Sequence, residues 1–177
     1  MAMGVMGRLK SAWVWLMRWN HCKGFGIQSP TDYRFVCSVV NEHWPYYQYD
    51  EIGLGDDRLT RKLGQLYFRL ANWRQPSVTI DRVQAAEYIL GGCRKTRIVT
   101  EATHVELAFV PATCDYRALF DHVDDRSVIV FQDIAKAKSQ WRQIVVDERA
   151  TIVFDLYYCG IVMFDSKRVK QYYKVNF

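Results

Sequence analysis

With four prolines in 177 residues, no low-complexity tract and no block of like charge, the sequence lacks the features of collagen-like or disordered chains. Its five cysteines, Cys22, Cys37, Cys93, Cys114 and Cys159, are odd in number and form neither a CxxC nor a Cys/His pair at zinc-ligand spacing. A disulfide framework and a zinc ribbon are thereby disfavoured, no metal site is expected, and reduced thiols in a cytoplasmic protein are the plain reading. No apolar run is long enough to span a bilayer. The one between Lys10 and Arg18 is too short for a signal sequence, and no small-residue cleavage site follows it. GxSxG, GxxxxGK[ST] and HExxH are also absent, and His21, His43, His104 and His122 lie far apart in the chain, so no hydrolase triad, phosphate loop or metalloprotease helix is indicated.

Half of the residues are hydrophobic, enough for a sizeable core in one compact domain. The net charge of +5 is spread along the chain, so it favours solubility without indicating nucleic acid; the partner is an unknown small molecule or protein. Near the N-terminus, Ala12, Trp15, Leu16 and Trp19 recur with the period of an amphipathic helix. Packing on the chain's own core is the first expectation for it. Docking of Trp13, Trp15 and Trp19 on an anionic membrane or on nucleic acid is the alternative.

The following "KGFGIQSPTD" reads as a helix entrance, with Ser29 as N-cap, Pro30 at the first helical position and Asp32 in the first turn. Gly24 and Gly26 precede no strand-to-helix turn and therefore make no phosphate loop. A helix is predicted over 31–43, with Tyr33, Val36, Cys37 and Val40 on one face. An ordered loop containing Trp44, Tyr46, Tyr47 and Tyr49 comes next, its aromatics forming the packed underside of a cap or, alternatively, a stacking platform for a planar ligand. A third helix, ending near Asn72, places Leu59, Leu63, Leu66 and Leu70 together and Arg58, Arg61, Lys62 and Arg69 elsewhere.

From Pro76 the texture changes. The runs "SVTI", "RIVT", "VELAFV", "SVIVF" and "ATIVFDL" alternate with the helical "AAEYIL", "YRALFDHV" and "AKAKSQWRQIVV", with Gly91-Gly92 as a helix stop. Apolar runs separated by helices predict a mostly parallel sheet covered on both faces, whereas the close spacing of "ATIVFDL", "GIVMF" and "YKVNF" predicts an antiparallel C-terminal edge. The expected organisation is an N-terminal helical cap over 1–75 followed by an α/β region over 76–177. Ligands of such sheets bind beyond the carboxyl ends of the strands, which selects Asp81, Glu101, Pro111 and Asp133.

"KGFGIQSP", "PYYQYDEI", "LGQLYFRLANW" and the C-terminal "VIVFQDI…W…ATIVFDLYYCGIVMF…YYKVNF" together resemble a bacterial family of class I S-adenosylmethionine-dependent methyltransferases of the O-methyltransferase-like kind. The likeness covers roughly 23–76 and 127–177. It implies a reduced Rossmann-like sheet, with Asp81 and Glu101 as cofactor-binding acids and Asp133 as a catalytic acid near the acceptor. In the middle the chain departs from the family. "PSVTIDRVQAAE" puts Val83 and Glu87 where glycines of the donor-binding turn belong, Pro111-Ala112 replaces an Asp-Gly pair, and a central βα portion is missing. The expected protein is thus methyltransferase-like with a degenerate S-adenosylmethionine site, binding that cofactor if any and without catalytic activity; an active enzyme with an altered pocket is the alternative. For Asp81 and Asp133 the plain alternative is a carboxylate that caps the next turn.

Overall fold

The computed structural model describes residues 13, 14 and 16–177. The chain divides into two units, one of helices and one built on a sheet. The helical unit comprises the chain through Trp73 together with Glu87–Arg94 and Lys174–Phe177, and the sheet unit comprises Arg74–Ala86 and Lys95–Tyr173.

In the helical unit, residues 13, 14, 16 and 17 are helical and a 3-10 turn covers Trp19–Gly24. Ala12 and Trp15 of the predicted N-terminal face lie outside the described residues. Leu16 and Trp19 of that face are exposed, as are Trp13 and Met17, contrary to the expectation that this segment packs on the chain's own core. Helix α1 (Pro30–Phe35) starts as its sequence dictates: Ser29 is extended, its hydroxyl accepts the Asp32 N–H at 3.4 Å, and Pro30 occupies the first turn, where no N–H is needed. A π-helical turn over Val36–Val40 continues it and buries Val36, Val39 and Val40. After a 3-10 turn (Tyr47–Asp50), Asp57 opens helix α2 (Arg58–Arg74) by accepting the Leu59 and Thr60 N–H groups at 2.8 and 3.1 Å, which holds its carboxyl below the usual range.

Leu63, Leu66 and Leu70 of α2 are buried as their spacing predicts. Arg69, expected away from that face, is buried too. The π-helical turn ends with carbonyls that have no helical donor beyond them, and the Arg69 guanidinium supplies one: Nε donates to the Val39 carbonyl at 2.7 Å and Nη2 to that of Val40 at 3.0 Å. The aromatic loop splits in two. Tyr46 and Tyr49 pack on each other and on Phe68, whereas Trp44 and Tyr47 are 75% and 92% exposed, so only half of the cluster is an underside.

The sheet unit holds β1 (Val78–Asp81), β2 (Arg97–Val99), β3 (Leu107–Pro111), β4 (Val128–Gln132), β5 (Ile152–Asp155), β6 (Cys159–Met163) and β7 (Gln171–Lys174) in the order β2-β1-β3-β4-β6-β5-β7. Helix α3 (Ala86–Gly92) follows β1 in the chain and falls, from Glu87 on, in the helical unit. The other helices are α4 (Tyr116–Phe120) and α5 (Lys138–Val146). Strands β2, β1, β3 and β4 pair in parallel, as their continuous apolar runs require. β6 is antiparallel to both β4 and β5, which gives the C-terminal side of the sheet the antiparallel pairing expected of it, with β6 inserted between β4 and β5. The predicted last strand, "YKVNF", is displaced: β7 is "QYYK", and the buried Val175 and Asn176 belong to the helical unit, where the Asn176 N–H donates to the His21 carbonyl at 2.9 Å. Ile80, Ala108, Val110, Ile129, Phe131, Trp141, Ile144, Val153 and Val162 belong to one buried hydrophobic cluster.

Candidate functional site at the strand ends

Between β1 and β3 the connections diverge. The chain leaves β1 toward β2 on one side and leaves β3 toward β4 on the other, so the carboxyl ends of these two neighbours form the switch point at which open α/β sheets bind ligands. Asp81 ends β1 there. Its Oδ1 accepts the Val83 N–H at 2.9 Å and its Oδ2 accepts the Ala85 N–H at 2.8 Å, so both carboxylate oxygens close the turn that follows the strand. That turn needs one left-handed residue, and Gln84, with φ +61°, supplies it; Val83 does not adopt a positive φ. Glu87, the other position expected to hold glycine, lies in the first turn of α3.

Glu101, two residues beyond β2, is 86% exposed in its side chain, and its Oε1 stands 3.9 Å from Nη2 of Arg82. Arg82, which sequence reasoning passed over, also donates through Nε to the Thr100 carbonyl at 2.9 Å and so ties the ends of β1 and β2 together. The structure therefore brings Asp81 and Glu101 to adjacent strand ends. Asp133 is placed apart from them. β3 separates β1 from β4, and the register puts Asp81 beside Phe109 and Gln132 beside Pro111. At about 4.8 Å between strands and 3.3 Å per residue, the Asp133 backbone stands roughly 14 Å from that of Asp81.

Asp133 is itself left-handed at φ +65°, its N–H donates to the Tyr158 carbonyl at 2.7 Å, and its Oδ1 meets Nζ of Lys136 at 3.0 Å. Aspartate tolerates this conformation better than most residues, so the side chain suits the turn irrespective of chemistry. Pro111 and Ala112 close the end of β3, with the Ala112 N–H donating to the Gln132 carbonyl at 2.8 Å. Next to them Cys114 is half-buried. Burial pushes its thiol up to about 11, partly offset by Arg82, so near neutral pH it is a protonated thiol rather than a nucleophile. The carbonyl of Cys114 accepts the side-chain amide of Gln140 on α5. Among the described residues no group of three or more His, Cys, Asp or Glu could hold a metal ion.

The architecture defines an α/β protein with a seven-stranded, mostly parallel sheet and an antiparallel C-terminal part. Beyond that class, comparison with known families, curated proteins and solved structures gives no match.

Proposed function

We propose that this chain is a methyltransferase-like protein whose S-adenosylmethionine site is degenerate and which does not catalyse methyl transfer. The observation that carries the reading is the β1 turn. Both oxygens of Asp81 are engaged by the Val83 and Ala85 N–H groups, and Val83, Gln84 and Ala85 each present a Cβ where a donor-binding turn needs bare backbone. These residues do not fit the cofactor, and no chemical step is assigned to it. The strand order supports the same lineage. Removal of the third strand from a doubly wound sheet leaves the second, first, fourth and fifth side by side, as β2, β1, β3 and β4 stand here. Titration calorimetry with S-adenosylmethionine and S-adenosylhomocysteine is expected to show no binding in the micromolar range, and clear micromolar binding of either would overturn the reading. Under the alternative, an active enzyme, Asp81 and Glu101 would lie near the cofactor and Asp133 near the acceptor; Glu101→Ala would then weaken cofactor binding.

A second reading, peripheral docking on an anionic membrane, is favoured by one observation. Trp13, Leu16, Met17, Trp19 and Phe25 all expose large apolar side chains within a short stretch that also holds Arg18.

A further inference from the structure

The helical unit contains a cavity of about 440 Å³ whose wall includes Asn41, Glu42, Trp44, Lys62, Arg69 and Phe177. We propose that it binds a small organic anion, a carboxylate or phosphate carried on a flat apolar body. The inference is independent of the strand-end site.

Two donors in the wall carry the inference. Arg69 is only 7% exposed, yet its three hydrogen bonds all go to neutral oxygens, the Val39 and Val40 carbonyls and the Tyr49 hydroxyl. A buried guanidinium is ordinarily matched by a carboxylate, because desolvation of an uncompensated charge is costly. Three of its five N–H groups are used, which leaves two donors. The second is Asn41, whose Nδ2 is buried without any hydrogen-bond partner, an arrangement native structures avoid unless a water or ligand completes it.

Charge and shape agree with this assignment. Arg69 contributes a permanent cation, and the Glu42 carboxylate beside it is engaged elsewhere, both of its oxygens accepting the Tyr46 hydroxyl, at 3.1 and 2.9 Å. Lys62 is held beside the cavity by its Nζ lying 4.5 Å from the centre of the Phe177 ring. Trp44 and Phe177 supply flat apolar wall, and the exposure of Trp44 leaves one side of the site accessible. The volume suits a ring bearing one anionic group.

The test uses the full chain with benzoate, phenyl phosphate and the neutral isostere benzamide. Calorimetry is expected to show binding of benzoate or phenyl phosphate, with benzamide at least about tenfold weaker. Whichever of the two anions binds more tightly identifies the headgroup. Asn41→Ala removes a donor that has no partner in the protein, so it is expected to unfold at or above the wild-type temperature while lowering anion affinity about three- to tenfold. Lys62→Gln, an exposed change, is expected to weaken anion binding while leaving benzamide unaffected. The proposal is overturned if none of the three binds at up to about 10 mM, if benzamide binds as well as the anions, or if Asn41→Ala destabilises the protein with unchanged affinity.

Discussion

Tyr88 shows how much one side chain organises. It is buried, its hydroxyl donates to Oδ2 of Asp56 at 2.7 Å, and two glycines make room for it: a Cβ at Gly53 would stand 1.8 Å from the hydroxyl and one at Gly64 2.3 Å from the ring. Burial, and then the bond to Asp56, raise the hydroxyl well above its ordinary value of 10. The unfolded chain therefore ionises first, so the stabilisation is fully present below about pH 10 and is lost as pH rises through the folded value. Tyr88→Phe is expected to cost about 1.5 kcal/mol at neutral pH, and denaturant titrations above pH 10 should show wild type losing an increment that the variant lacks. At this scale legibility depended on range. The Ser29, Pro30 and Asp32 cap was readable because its hydrogen bond spans three residues. The burial of Arg69 was not, since its acceptors lie 29 and 30 residues away. Asp81 was singled out as a cofactor ligand, yet in the turn its oxygens serve the chain's own N–H groups.

Among the elements, α3 adds a second role to a glycine. Gly91-Gly92 was expected to stop the helix, and the helix ends at Gly92; a Cβ there would also collide with the Phe68 carbonyl oxygen and stand 3.1 Å from the Asn72 nitrogen on α2. The glycine permits backbone-to-backbone approach, where nothing flexible can yield. Gly92→Ala is expected to destabilise by about 2–3 kcal/mol in thermal or denaturant unfolding, whereas Gly55→Ala, which meets no atom within 4 Å, should be neutral or slightly stabilising. The β5–β6 hairpin was legible because only three residues join its strands. Its placement was not: β6 enters between β4 and β5 through partners some thirty residues earlier, and a local pattern cannot specify them. β7 was misplaced for a related reason, because Val175 is apolar enough to extend a strand but is buried in the other unit.

For the whole molecule, neither unit is continuous in sequence, so a boundary drawn near residue 75 misses the return of 87–94 and 174–177 to the helical unit. Under the second reading, peripheral docking, the net charge of +5 and the exposed Trp13, Leu16, Met17, Trp19 and Phe25 would act together on an anionic surface. Co-sedimentation with phosphatidylserine vesicles is expected at low ionic strength, weakened by salt and by Trp19→Ser with Phe25→Ser; absence of sedimentation at low salt would remove that reading. No helix among the described residues is long and apolar enough to cross a membrane.

The sequence by itself determined the kinds and positions of most elements: the helix capped by Ser29, the leucine face of α2, and the parallel runs of β1 to β4. Periodicity, capping and β-branched apolar runs act within a few residues of one another, so they survive translation into one dimension. Tertiary structure alone decided which chemical groups meet. It placed Asp133 two strands from Asp81, set Glu101 beside Arg82, and gathered Asn41, Lys62 and Arg69 around one cavity. Such meetings arise from strand register and side-chain burial between residues distant in the chain, and those are settled only when the whole apolar surface is packed.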